Sequence, residues 1–456
     1  MRMSQLIQFF SRECFTRCYH EFKGGFVNLI FFWIAIGVLN LFRFIGLESA
    51  PPGFYVDEAA GAAQVMCLKQ TGADFFGNSY PLFARGLGGG YYTAPYLYGQ
   101  MFWTGIFGNS VYSFRAFLAF ITTCTAFFLF DWVRRRVSLG AALWVTLFAS
   151  ISPWAFQFSR IAWDPPLAPF FLVFGLWCFD LKKKYGWVLG ALAFTLAGYS
   201  YPPCRIQAVV LLFFLPGMKW RKKFEVFGVF LVANIPMFYQ AWTDPGFTAR
   251  GKMLALTSNY SMNPYRDSNL FGLLGGFIVQ FFAHFSPDFL FLHGDHNLRH
   301  SPQTVGVLSD PEGLALITGA IYWLVSFVKN KKAVLQPLFV FAIIGIASGI
   351  APAALTWESV PHALRAIGAW PFFVLLSGLT ADLLFRKLGS WSFTWKRILQ
   401  NAFLVGCFGF TAFYFYDFFY AYPDRAENWF RADDSPLGSA YSKMTELNVF
   451  CSDIRK

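Results

Sequence analysis

Apolar residues fill this chain in long runs, and the polar positions gather between the runs instead of alternating within them. A helix needs roughly 17 to 25 apolar residues to cross a hydrocarbon core of about 30 Å. Eleven runs predict such spans, near residues 26–45, 112–133, 139–158, 164–181, 186–203, 205–218, 224–241, 313–328, 334–353, 365–385 and 398–420. The run from Arg205 to Met218 is short, and Pro202 and Pro203 blur its border with the run before it. The polar stretches between runs are of two kinds. One kind is short and basic. The other comprises two long loops, 46–111 and 242–312, shorter ones near 159–165, 200–205 and 354–364, and a tail over 421–456.

Two segments inside the long loops read as helices lying at the membrane surface. Val56 to Thr71 sets Ala59, Ala63, Met66 and Cys67 at helical spacing, and Asn269 to Phe282 is apolar and uncharged. The second is long enough to compete as a twelfth span, but that would move the basic segments 329–332 and 386–397 to the wrong side.

Composition supports this reading. With 56% hydrophobic and 14% charged residues, 59 Phe and 16 Trp in 456 positions, the chain is too poor in charge for a soluble surface, which carries about a quarter charged residues. It is equally unlike a disordered, collagenous, coiled-coil or disulfide-scaffold sequence. A net charge of +12 would suggest nucleic acid in a soluble protein. Here its placement says otherwise: the short basic segments hold 21 of the 37 Lys and Arg but six acids, whereas the other face holds 16 basic and 19 acidic residues. The positive-inside rule therefore puts the N-terminus in the cytoplasm and the long loops and C-terminus outside. No nucleic-acid partner is expected; the bilayer is. The first span reads as an uncleaved signal anchor. Cys14 and Cys18 lack a second ligand pair and read as ordinary thiols.

Long loops in compact proteins are usually functional, so chemistry is expected outside. Tyr55-Val56-Asp57-Glu58 begins the first surface helix. Acids in a first turn are favoured by the helix dipole and free N–H groups; a carboxylate at the membrane surface also suits a base taking a proton from a hydroxyl. Asp164, in Ser159-Arg160-Ile161-Ala162-Trp163-Asp164-Pro165-Pro166, is either a helix cap beside a snorkelling Arg160 or a second acid facing Asp57. The run His293-Gly294-Asp295-His296-Asn297-Leu298-Arg299-His300 concentrates three of the chain's six His with an Asp. It offers metal ligands in His293, His296 and His300, or Arg299 and His donors for phosphate or sugar hydroxyls. Arg365, in Pro361-His362-Ala363-Leu364-Arg365, either snorkels or grips a phosphate with its planar fork. Arg205 follows Tyr199-Ser200-Tyr201-Pro202-Pro203 as another cation, and Glu358 is a pairing partner for any of these arginines.

The stretch from Gly53 through Phe120 resembles the first outside loop of the GT-C glycosyltransferases, in the branch holding protein O-mannosyltransferases and lipid A aminoarabinose transferases. The resemblance rests on Asp57-Glu58, on Lys69-Gln70-Thr71-Gly72-Ala73-Asp74, on Arg85-Gly86-Leu87-Gly88-Gly89-Gly90, on Tyr91-Tyr92-Thr93-Ala94-Pro95-Tyr96-Leu97-Tyr98 and on Arg115. With gaps it runs over nearly the whole chain. It implies a GT-C fold with Asp57 as catalytic base, Glu58 beside it and Asp164 helping to hold acceptor or metal. It also implies a donor phosphate near the tenth span, held by Arg365 first and His362 second, with Arg299 and Arg205 as further candidates. Tyr55, Tyr92, Tyr201, His293, Asp295 and His296 are expected to line the substrate cavity. Many members carry a soluble domain after the last span; the tail from 421 is too short for one.

The expectation is thus an all-α polytopic membrane protein, with residues 1–420 forming the catalytic GT-C domain. Its function would be inverting transfer of a sugar from a polyprenyl phosphate to a hydroxyl of a lipid, glycan or protein on the outer, periplasmic face of a bacterial inner membrane. No cofactor is required by this reading; a divalent metal is a candidate. The alternatives are a transporter or flippase of a lipid-linked sugar and a non-catalytic subunit of a glycan-assembly complex. Against transport, the acids cluster in loops instead of at the midplane, and no repeated halves are visible.

Overall fold

The computed structural model describes residues 26–86, 90–181, 184–328, 337–387 and 393–430. The basic segments 182–183 and 329–332, Cys14 and Cys18, Leu87 to Gly89 and the tail beyond 430 lie outside the described residues. The chain divides into two units, 1–45 and 46–456. The first holds the apolar helix Phe26–Leu41. The second holds everything that follows here.

Each apolar run contains a helix, yet several are shorter than a bilayer is thick. Among the described residues five helices are long and apolar enough to cross a membrane, six if one bent pair counts as a single span, and further apolar helices of 10 to 17 residues include Leu139–Ile151, Leu167–Phe179, Gly186–Ser200 and Pro203–Phe214. Proline explains two of the breaks. The run 139–158, expected as one span, is cut at Ser152 into Leu139–Ile151 and Pro153–Phe158, because Pro153 has no N–H to continue the ladder and suits a first helical position instead. The seventh run bends by 42° between Trp220–Ala233 and Ile235–Thr243, with Pro236 beside the break. The segment Asn269 to Phe282 forms the helix Leu270–Ala283, and with the π-helical turn Asp288–Leu292 it too is long and apolar enough to cross.

Close helix packing comes from glycine. Leu167–Phe179 and Gly186–Ser200 form a hairpin in which a Cβ at Gly175 would meet the Phe194 ring at 2.5 Å and one at Gly190 the Phe179 ring at 2.5 Å. Small residues at such contacts let apolar helices approach without a hydrophobic drive between them. Trp370–Lys387 packs on Leu139–Ile151 in the same way, with Gly378 against Val145. At the basic ends, Arg136 pairs with Asp180 and Arg134 with Asp131.

The first long loop departs from expectation in two respects. Val56–Thr71 is a helix over the expected residues, but Glu58 through Leu68 are buried, so protein covers most of it and Asp57 and the last turn stay exposed. The chain is also not wholly helical. Phe83–Arg85 and Tyr91–Thr93 form an antiparallel ribbon, with Phe83 opposite Thr93 and Arg85 opposite Tyr91. The glycines at 86 and 90 close it, Gly86 N–H donating to Gly90 C=O at 2.7 Å. A second unexpected element, the helix Gly246–Leu254, lies in the other long loop.

Candidate active site

Asp57 and Glu58 occupy the first turn of Val56–Thr71, and their surroundings are opposite. Glu58 is fully buried and takes Arg115 as a bidentate partner, Nε to Oε1 at 2.8 Å and Nη2 to Oε2 at 2.7 Å. Ala162 N–H donates to its Oε1 at 2.7 Å and Tyr55 N–H to its Oε2 at 3.1 Å. Arg115 spends its other donors on the carbonyls of Leu47, Pro51 and Gly53. A buried ion pair is tolerated when its remaining hydrogen-bonding capacity is met in this way. Both Glu58 oxygens are thereby occupied, so the expected catalytic part for Glu58 gives way to a structural one: it joins the start of the Asp57 helix to the loop carrying Asp164.

Asp57 is left exposed. Enough protein surrounds it that lost hydration raises its pKa above the ordinary carboxylate value; the Glu58 charge adds to this, and Arg250, Arg299 and a hydrogen bond with Tyr55 oppose it. A group that is both accessible and poorly hydrated lies on the wall of a recess. Its backbone is fixed by Tyr92, whose hydroxyl donates to Asp57 C=O at 2.9 Å. Tyr96 stacks on Tyr92 and donates to Ala162 C=O at 2.5 Å, two residues before Asp164. Burial pushes the pKa of Asp164 up to about 8, and the charge of nearby Asp57 adds to it. The two acids named from the sequence thus lie close enough for the charge of one to act on the other. Arg160, expected to snorkel, is instead buried and donates to the carbonyls of Ala50 and Gly46.

Cations surround this recess. The Arg299 guanidinium lies over the Tyr55 ring at 4.2 Å and the Trp429 ring at 5.4 Å. Its loop is tied down by Tyr422, whose hydroxyl donates to Leu298 C=O at 2.7 Å, and by Arg425, which pairs with Asp417 and donates to Pro302 C=O. Arg365 is committed: Nη1 donates to Glu358 C=O at 2.6 Å and to Thr356 Oγ1 at 3.0 Å, and Nη2 pairs with Glu358 at 2.8 Å. Tyr201, half-buried at the end of Gly186–Ser200, feels the charges of Arg365, Asp164 and Arg250 together. Arg205 instead turns to Gly198 C=O and the Phe247 ring.

Arg250 was not singled out by the sequence. It sits exposed on Gly246–Leu254 and makes no hydrogen bond or ion pair with the described residues, yet it acts on Tyr55, Asp57 and Tyr201. Its helix is held at both ends. At the start, Tyr91 bonds Asp244 and Phe247 packs on Phe83 and Tyr91. At the far end, Trp357 N–H donates to Leu254 C=O and Leu256 N–H to Leu355 C=O. The available signal was a basic residue on the side that the charge rule depletes.

The histidine run does not converge as read. His293 is exposed and bonds Asp288 at 2.5 Å, and His296 is exposed as well. His300 is drawn inward to Asp295 and to His362 of the distant 361–365 segment, and these three are the one metal-capable group among the described residues. Among the described residues no third metal-capable side chain joins Asp57 and Asp164, and Asp57 has Arg250 and Arg299 near it.

No protein-family model matches the chain, and no curated protein matches it. Solved structures do resemble it. ArnT from Cupriavidus metallidurans, bound to undecaprenyl phosphate, aligns over 94% of this chain and 76% of its own at 15% identity, with a TM-score of 0.51. The oligosaccharyltransferase of Archaeoglobus fulgidus tethered to an acceptor peptide aligns over 94% of this chain but only 60% of its own, at 13% identity and a TM-score of 0.50. With its apolar helices and this likeness to membrane transferases, the chain is an integral multi-pass membrane protein with the GT-C fold.

Proposed function

We propose that this protein is an inverting glycosyltransferase that takes a sugar from a polyprenyl phosphate and passes it to a hydroxyl acceptor at the outer face of the membrane. The observation that carries the reading is Asp57, an accessible but poorly hydrated carboxylate with Arg250 and Arg299 close by, on the first long loop of a GT-C fold. Asp57 takes the acceptor proton as the acceptor oxygen attacks the anomeric carbon. The bond from that carbon to the phosphate oxygen breaks, and the lipid phosphate leaves with the electron pair. Its charge grows as it leaves, and a preorganised cation is most effective there. Arg250, which makes no hydrogen bond or ion pair among the described residues, is the first choice for that task. Arg299 is the second, and Arg365, expected first from the sequence, comes after both because Glu358 already holds it. The undecaprenyl phosphate bound by ArnT supports a lipid-phosphate donor. Cys67, on the Asp57 helix, is disulfide-bonded, which suits an oxidising compartment for this loop.

The test is transfer from a synthetic short-chain polyprenyl-phosphate sugar by the full chain in nanodiscs. Wild type releases polyprenyl phosphate, whereas Asp57→Asn binds donor and does not turn it over. Donor binding without turnover in wild type, over a panel of sugars and acceptors, refutes the reading.

A further inference from the structure

Asp295, His300 and His362 are all buried, at 2%, 6% and 7% exposure, and their ligand atoms lie within 4.8 Å of one another. Asp295 Oδ2 is 2.9 Å from His300 Nδ1 and 3.7 Å from His362 Nδ1. Four-coordinate zinc, with bonds of about 2.0 to 2.2 Å to nitrogen and oxygen, sets its ligand atoms roughly 3.3 Å apart, a spacing these two distances bracket.

Asp295 Oδ2 and His300 Nδ1 share a hydrogen bond, so an ion bound there takes the place of one proton. Arg365 N–H donates to His362 Nδ1 at 3.3 Å, so that nitrogen is unprotonated, and an ion there would take over its one lone pair from this long bond. The same nitrogen faces Asp295 Oδ2, which is an acceptor. Two acceptors thus lie 3.7 Å apart in a buried place, too far for a hydrogen bond between them and near enough for one ion to reach both. The groups that would orient ligands are present as well. Ala363 N–H donates to Asp295 Oδ2 at 2.8 Å and Asn297 N–H to Oδ1 at 2.9 Å. His362 N–H donates to His284 Nε2, and the other ring nitrogen of His284 bonds Gln280 C=O. Partners of this kind hold ligating carboxylates and the chain around them in metal sites.

We infer that Asp295, His300 and His362 bind one zinc ion, which joins the second long loop to the segment entering Trp370–Lys387. Two imidazoles and a carboxylate suit zinc over calcium or magnesium, and three protein ligands leave a fourth position for water. The ion would act by position. Arg299 precedes one ligand and Arg365 follows another by three residues, so a single centre fixes the backbone of two cations at the recess. The inference does not depend on the transferase reading, because metal content is measured without donor or acceptor.

The test is zinc content of the full chain, purified in detergent from zinc-supplemented cells, by mass spectrometry of the metal. About one zinc per chain is expected for a single site of three protein ligands and a water. His300→Gln, His362→Gln and Asp295→Asn should lower it to background. His362→Cys should keep it, since a thiolate also ligates zinc whereas a hydrogen-bond network gains nothing from it. Should the variants fail to accumulate, X-ray absorption at the zinc edge of wild type decides: imidazole and oxygen scattering without sulfur supports the site, and sulfur ligands place the ion on cysteines and refute it. Zinc-free wild type, or variants that keep full zinc, also refute it.

Discussion

Asp57 and Glu58 are neighbours in the chain and share a helical turn, yet Arg115 closes around one while the other stays open to solvent. Successive residues of a helix point about 100° apart. One carboxylate can therefore anchor the turn while the next faces the recess.

The pair should separate cleanly under mutation. Asp57→Asn is expected to cut turnover by about 10² to 10⁴, the usual worth of a general base, with no change in thermal stability. Glu58→Gln leaves Arg115 buried without its counter-charge, a loss of about 3 to 5 kcal/mol where such pairs have been broken. Its melting temperature should fall before any kinetic effect is read. Thermal scans in detergent beside turnover assays check both, and a stable but inactive Glu58→Gln would return that residue to the chemistry.

Arg250 should matter in kcat. Arg250→Ala is expected to lower kcat on the order of 10² to 10³, as for loss of one donor to a developing oxyanion, with a smaller rise in KM. Arg365→Ala should lower stability more than kcat, because it frees Glu358 and Thr356. Steady-state kinetics with the short-chain donor distinguish the two, and an unimpaired Arg250→Ala would return the phosphate to Arg299 or Arg365.

The acid limb of kcat/KM should report Asp57. A base must be ionised, so activity falls as pH drops through a pKa that lies above the ordinary value of about 3.9. Arg250 lowers that pKa, so Arg250→Ala should move the limb to higher pH. Asp164, pushed up to about 8, is still protonated on the acid side of neutrality. Asp164→Asn should therefore leave the acid limb in place and remove any inflection near 8. A limb unmoved in Arg250→Ala argues against their proximity.

The sidedness can be read by chemistry on intact cells. Cysteines introduced at Phe76 and His296, both exposed, should react with a membrane-impermeant maleimide, and cysteines at Lys184 and Lys387 should not. Labelling of 184 but not 76 overturns the orientation.

Much of this architecture was legible because a bilayer imposes long apolar runs and sorts charge across them. The Asp57 helix could be read to its ends because Tyr55 and Gly72 bound it, Gly72 taking the left-handed conformation that glycine adopts freely. The breaks at Ser152 and Asn234 were not seen, since apolar composition continues through a proline even where the hydrogen-bond ladder does not. The site was legible in part. Asp57 and Asp164 carry their signal locally, in loops that flank spans. His362 joins Asp295 and His300 only through folding, across more than sixty positions of chain, and spacing within the 293–300 run pointed to His293 and His296 instead. Arg250 carries no motif; what sets it apart is that no described residue pairs with it, which only three dimensions reveal.

The bond between Tyr91 and Asp244 links residues 153 positions apart and fastens the ribbon of the first long loop to the helix of Arg250. Asp57 and Arg250 thus stand on separate segments that meet through one hydroxyl and a few aromatic rings. A recombinant that receives the first loop from a relative without residues 242–254 obtains the acid but not its companion charge, so new acceptor preferences in this fold should arise by exchanging both loops together.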